Sequence, residues 1–160
     1  MGEEAGHMTD VLARRSAATT AGALQDTLIE LIDLSLAAKQ AHWNVIGPNF
    51  KPLHEFLDEL TEAYRGWYDD VAERLAAIGV SPDGRIATVA ARSTIPPLPE
   101  GQLADTLLVG LVHDRVSTVA RRIRGRMEEI GDEDLVSQDL LIGIVHGLEK
   151  QGWMLQALRS

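Results

Sequence analysis

The sequence predicts an all-α protein: four long helices in one bundle, with a long crossover carrying a short helix between the second and third. Three observations predict it. Hydrophobic residues make up 45% of the chain but aromatics only 4%, a balance that favours helices packed on helices over strands, which draw on β-branched and aromatic side chains. Apolar residues recur at steps of three and four over four separate stretches. Gly47-Pro48, a Pro- and Gly-bounded connection over 80–99, and Gly131 separate those stretches. At 160 residues and 17.4 kDa the chain suits one domain with a real core.

Residues 1–19 (MGEEAGHMTDVLARRSAAT) are polar and small without sustained period, and read as a flexible N-terminal arm. Its one basic pair, Arg14-Arg15, reads as part of a solvated tail. The bundle domain takes up 20–160. Its first helix runs from about Thr20, with Thr19 or Thr20 as cap, to Ile46, carrying Leu24, Leu28, Leu31, Ile32 and Leu34 on one stripe. Gly47-Pro48 stops it, because proline cannot continue the hydrogen-bond ladder and disfavours helical geometry just before it.

The second helix opens near Pro52, a residue suited to a first turn, and ends at Gly79. Leu53, Leu57, Leu60, Tyr64, Trp67, Val71, Leu75 and Ile78 form its stripe. Residues 80–99 cross over, with room for a short helix near Ile86–Ala91. The third helix spans about Gly101 to Ile130, with Leu103, Leu107, Leu111, Val119, Ile123 and Met127 on one side. The fourth runs from about Leu135 to Leu158, with Leu141, Val145, Leu148 and Leu155 inward. Acidic Asp132, Glu133 and Asp134 at its start complement the helix dipole. Short first and third connections with a long middle one are the topology of a ferritin-like bundle.

Composition excludes several function classes. With no cysteine there is no disulfide, thiolate metal site or thiol catalysis. A formal net charge of −9 opposes nucleic acid and anionic lipid and is compatible with cation traffic. No apolar run approaches the ~20 residues that span a bilayer, and the N-terminus shows no signal-peptide segment. The expected location is the cytoplasm, free or nucleoid-associated.

One stretch, His42 to Glu73, holds the residues that carry chemistry. His42, His54, Asp58, Asp69 and Glu73 are nitrogen and oxygen donors of the kind that bind iron. On a helical wheel with Leu57 at zero, the apolar stripe of the second helix centres near about −40°. His54, Asp58, Asp69 and Glu73 fall at about 60°, 100°, 120° and 160°, roughly 150° from the core. They share one outward face as two i,i+4 couples. Yet Asp58 and Asp69 are about 16 Å apart along the axis, too far for one dinuclear centre with metals ~3.5–4 Å apart. An antiparallel second copy crossing near Ala63–Tyr64 solves this, bringing the 54/58 end of one chain to the 69/73 end of the other, with His42 in reach. Two equivalent sites per dimer follow. The plainer alternative is that these outward acids are a solvated surface; two histidines in the set, and Gly66, Ala72 and Ala76 beside the face, speak for metal.

At these residues the chain resembles the Dps family, the starvation-induced mini-ferritins. The family pattern is His-Trp-Asn, a His twelve residues after the first, an Asp four later, and a downstream Asp-x-x-x-Glu. Here it reads His42-Trp43-Asn44, His54, Asp58, Asp69 and Glu73, and the likeness runs from about Thr20 to Arg159. The resemblance implies a hollow homo-dodecamer built from twofold dimers. Each ferroxidase centre would hold two irons between His42, His54 and Asp58 of one subunit and Asp69 and Glu73 of its mate. The implied reaction is oxidation of Fe(II) to Fe(III), preferentially by hydrogen peroxide, with ferric mineral stored in the shell against oxidative damage. Trp43 is then a candidate electron donor, with a packing aromatic as the plainer reading. Asp134 and Asp139 resemble the acids that line the family's iron-entry pores, with helix-start acids as the alternative for Asp134.

Many family members bind DNA through a lysine-rich tail. This chain has no lysine in its first twenty residues and ends at Leu158-Arg159-Ser160. Arg121, Arg122, Arg124 and Arg126 spread over several helix faces, where pairing with acids is expected. Twelve copies at −9 carry about −108, so weak or absent DNA binding is expected. Two alternatives compete with the shared ferroxidase: a di-iron site inside one bundle, which uses Glu-x-x-His pairs where this chain has only the reversed His146 and Glu149, and a non-enzymatic Dps-like DNA-compacting or scaffold assembly.

Overall fold

The computed structural model describes the backbone of residues 2–159 and the side chains of residues 16–159. Four long helices, α1 (Gly2–Asn44), α2 (Phe50–Ala77), α4 (Asp105–Ile130) and α5 (Leu135–Ala157), form the bundle, and short α3 (Ile86–Arg92) lies in the crossover. A parallel bridge of two residues a side, β1 (Val45–Ile46) with β2 (Leu103–Ala104), ties the first turn to the start of α4. The expected all-α, ferritin-like bundle with one crossover is therefore present, its short helix ending one residue beyond the expected stretch. Among the described residues no helix is long and apolar enough to cross a membrane.

The stripe read for α2 is the buried one. Leu53, Leu57, Leu60, Tyr64, Val71 and Leu75 are each at most 2% exposed, against Leu24, Leu28, Leu31 and Leu34 of α1 and Leu141, Val145, Leu148 and Leu155 of α5. Each fully buried Leu contributes ~2 kcal/mol by removal from water. The six-membered ring of Trp67 packs against α5 at Gly147, where a Cβ would come within 2.3 Å of the indole.

α2 opens two residues before Pro52 and ends two before Gly79, and three further boundaries differ from the sequence reading by more than one residue. The α1 backbone is helical from Gly2, well ahead of Thr20; no proline interrupts 2–19, and Ala, Glu, Leu and Arg there are good helix formers. The division into an arm over 1–19 and a domain over 20–160 stays a proposal. The first helix stops at Asn44, not Ile46, because Val45 and Ile46 turn extended to pair with Leu103 and Ala104. The third helix for the same reason starts at Asp105, not Gly101. Its inward stripe is Leu108, Val112, Val116, Val119 and Ile123, while Leu107 is 53% exposed. Leu107 and Leu108 are adjacent, so each fits a 3.6 period, and packing against the core settles the phase on Leu108.

The bridge is locked by Asp105. Its buried carboxylate accepts the Asn49 amide at 2.7 Å and the Thr106 amide at 2.8 Å, fastening the α1–α2 turn to the start of α4. Gly47, at φ +133°, lies against that carboxylate; a Cβ there would approach it to 2.5 Å. This turn sets the spacing between the end of α1 and the start of α2, where the candidate ligands sit.

Candidate metal centre

The last turns of α1 supply Lys39, His42 and Trp43, and the first turns of α2 supply His54 and Asp58. The two imidazoles stack, with ring centroids 3.6 Å apart and planes inclined by 21°, and Phe50 tilts against His54 at 5.0 Å. Each Nδ1 faces the backbone carbonyl of the other histidine, His42 to His54 O at 2.8 Å and His54 to His42 O at 2.9 Å. A carbonyl only accepts, so each Nδ1 carries the proton and donates. In the neutral rings each Nε2 is then left with its lone pair, the tautomer a metal ligand needs. The α1 and α2 backbones thus orient both imidazoles before any metal binds.

Asp58 is half-exposed and is held by the Lys39 ammonium across the helix pair. That hydrogen bond keeps its carboxyl below the usual carboxylate range against partial loss of solvent, helped by the charge of Lys39 and the field of His42 and His54. Sequence reasoning missed Lys39. A signal was available: one of only three lysines, it stands three residues before His42 on the same helix face.

Asp69 and Glu73 are exposed about three and four turns beyond Asp58 along α2. Because α2 is one unbroken helix, Asp58 and Asp69 stand about 16 Å apart along its axis. One chain therefore stacks His42 on His54, with Asp58 one turn beyond His54 and drawn to Lys39, and leaves Asp69 and Glu73 apart. Among the described residues no three His, Cys, Asp or Glu of a single chain converge on a metal-sized site. The face between the two ends is low: Gly66 is exposed, and a Cβ there would meet nothing within 4 Å. Around the histidine end, Trp43 is 68% exposed, with Leu36, Ile46 and Phe50 also presented to solvent.

The remaining candidates separate. Asp134 caps α5, accepting the Ser137 amide at 3.0 Å and hydroxyl at 2.6 Å, and takes both oxygens to the Arg74 guanidinium at 2.9 and 3.1 Å. Partial burial pushes its pKa up, but the Ser137 and Arg74 hydrogen bonds together outweigh it and leave the carboxyl below its ordinary range. Its carboxylate is thus engaged in the fold, whereas Asp139, in the second turn of α5, is exposed. Glu149 is bound to Arg124 at 2.6 Å and His146 is exposed, so this reversed pair builds no inward site. Arg122 and Arg126 both bind buried Glu30, at 2.7 and 2.6 Å. Three of the four clustered arginines are paired with acids.

A sequence model of the ferritin-like domain matches residues 21–160. DNA protection during starvation protein 2 of Deinococcus radiodurans is 40% identical over 135 residues, covering 84% of this chain and 56% of its own length. The DNA protection during starvation protein of Mycolicibacterium smegmatis is 38% identical over 149 residues, covering 91% of this chain and 80% of its own. The chain thus spans little more than half the length of the first of these relatives. Among solved structures, Dps92 of Deinococcus radiodurans superposes with a TM-score of 0.88 at 38% identity, over 89% of this chain and 87% of the other. The tetragonal form of Mycobacterium smegmatis Dps gives 0.86 at 36%, over 89% and 87%.

Proposed function

The chain belongs to the ferritin-like domain family and, within it, to the Dps mini-ferritins that store iron, and from that premise we propose that it is a ferroxidase whose di-iron centres are each built from two subunits. The observation that carries this is the split along α2. His42 and His54 are pre-oriented with Asp58 one turn on, and Asp69 and Glu73 lie about 16 and 22 Å beyond Asp58 along the same continuous helix. A twofold copy crossing antiparallel near Ala63–Tyr64, beside exposed Gly66, brings complementary halves together twice. The exposed Trp43, Ile46 and Phe50 beside the histidines supply apolar surface for that contact.

Iron is the substrate, two ions to a centre. The Nε2 atoms of His42 and His54 suit ferrous iron, and the harder carboxylates of Asp58, Asp69 and Glu73 favour the ferric product. Each Fe(II) gives one electron, and both go to one hydrogen peroxide. Its O–O bond breaks to two oxygens at the level of water, and no hydroxyl radical leaves. Ferric oxide then collects inside a shell that we take to be a dodecamer. Trp43, next to His42, is our candidate to give an electron when only one iron is bound. Asp139, exposed at the start of α5, is the better candidate for an iron-entry pore; Asp134, engaged with Arg74 and Ser137, is the weaker one. We expect little DNA binding, because the chain is acidic and Arg122, Arg124 and Arg126 are engaged with Glu30 and Glu149.

Anaerobic loading with Fe(II), followed by peroxide, tests the reading. Oxidation at two Fe(II) per peroxide and an electron-dense core inside a closed particle are expected. Oxidation no faster than in buffer, with no iron-filled particle, would leave the protein a non-enzymatic assembly.

A further inference from the structure

Lys39 has no place among the five ligands, yet its ammonium sits on the Asp58 carboxylate. The pair joins α1 to α2, and its partners are only 31% and 48% exposed. Lys51 offers a contrast: it meets Glu55 one turn away on its own helix at 3.6 Å, with both side chains mostly in solvent. That is an ordinary surface pair. Lys39 instead shares a helix face with His42 and reaches across the hairpin to a carboxylate assigned to the metal. A divalent ion and the ammonium would compete for the same oxygen.

Charge explains what such a contact does. On the shared-site reading above, on which this inference rests, each centre gathers Asp58 of one chain with Asp69 and Glu73 of the other. Three carboxylates meet at each of two sites in the dimer, and like charges at such separations repel. We propose that Lys39 is a tethered counter-cation of the shared centre: it neutralises Asp58 while the two acid-bearing faces dock, and the incoming divalent ion displaces it. Removing its charge then has two opposite consequences. The metal-free dimer is weakened, and divalent binding is strengthened. A residue that merely supported the fold would weaken both.

The test uses full-length protein and Zn(II), a redox-inert ion that accepts imidazole and carboxylate. Lys39→Gln should bind Zn(II) about three- to tenfold more tightly by calorimetry. In chelator at fixed salt it should dissociate at several-fold higher protein concentration by sedimentation. Lys39→Arg, which keeps the charge, should return both readings toward wild type, and in an Asp58→Asn background Lys39→Gln should change neither. Zn(II) affinity that is unchanged or lower in Lys39→Gln, or an unaltered dissociation, overturns the inference. Failure of the shared-site reading looks different: Zn(II) binding that Glu73→Ala leaves untouched would remove both.

Discussion

Replacing Gly47 by alanine perturbs the turn that places the two histidines, and its cost can be worked from two separate causes. The backbone at φ +133° is one that L side chains rarely adopt, and holding a non-glycine residue in such a region costs about 1–3 kcal/mol. The new methyl would also meet the Asp105 carboxylate, with its Oδ1, Cγ and Oδ2 at 2.5, 2.6 and 2.8 Å. That carboxylate cannot swing aside without releasing the amides of Asn49 and Thr106. Such overpacking costs a further 1–3 kcal/mol or so. Together the two predict a loss of about 2–6 kcal/mol, or roughly 6–18 °C in Tm for a chain of this size. Calorimetry at one fixed protein concentration would measure it, since assembly shifts the midpoint. The two causes separate in a double-mutant cycle. With Asp105→Ala already present the clash is gone, so Gly47→Ala should there cost about 1–3 kcal/mol less than in wild type. An identical loss in both backgrounds, or no loss at all, would refute the reasoning. The same variant should weaken Fe(II) binding, because the turn sets the 3.6 Å stack of His42 on His54.

Tyr64 is 1% exposed and its hydroxyl has no hydrogen-bond partner among the described residues. Burial alone pushes the phenol far up, so Tyr64→Phe should raise stability by up to about 1 kcal/mol in urea unfolding, and a lower midpoint would contradict this. Asp134, whose carboxyl is held below its ordinary range, contributes stability that is present above about pH 4 and lost as pH falls through the lowered value. Asp134→Asn keeps the cap but gives up the charge facing Arg74, so it should lose about 1 kcal/mol at pH 7 and show a flatter fall in Tm below about pH 4. In gel shifts at physiological salt, linear DNA should run unretarded; compact complexes would overturn the expectation of weak binding.

The clean steps of the α2 stripe made that helix legible, and its unbroken length made the split site legible with it, since two i,i+4 couples on one outward face cannot close on one metal pair. The topology followed from the lengths of the connections. What was not legible depended on contacts between distant segments. Nothing local marks Val45–Ile46 and Leu103–Ala104 as strands; they are extended because they pair with each other across 58 residues. Leu107 and Leu108 are equivalent in pattern, and only packing chose Leu108. Asp134 reads equally as a pore acid or a helix-start acid, and its engagement with Arg74, 60 residues away, is visible only in the fold. Lys39 escaped notice because charge opposite in sign to a ligand set looks like noise in a list of donors. Across the hairpin it becomes a contact on Asp58.

The central claim, that each centre belongs to two chains, is tested most directly by mixing two dead variants. In a heterodimer of Asp58→Ala and Glu73→Ala chains, one site lacks both residues and the other lacks neither. Random pairing makes half of all dimers mixed, so about one quarter of all sites should be whole. Co-expressed variants, purified together and assayed for peroxide-driven Fe(II) oxidation, should recover about one quarter of wild-type activity while each variant alone is near background. A mixture as inactive as its parents would show that the ligands of each centre come from a single chain.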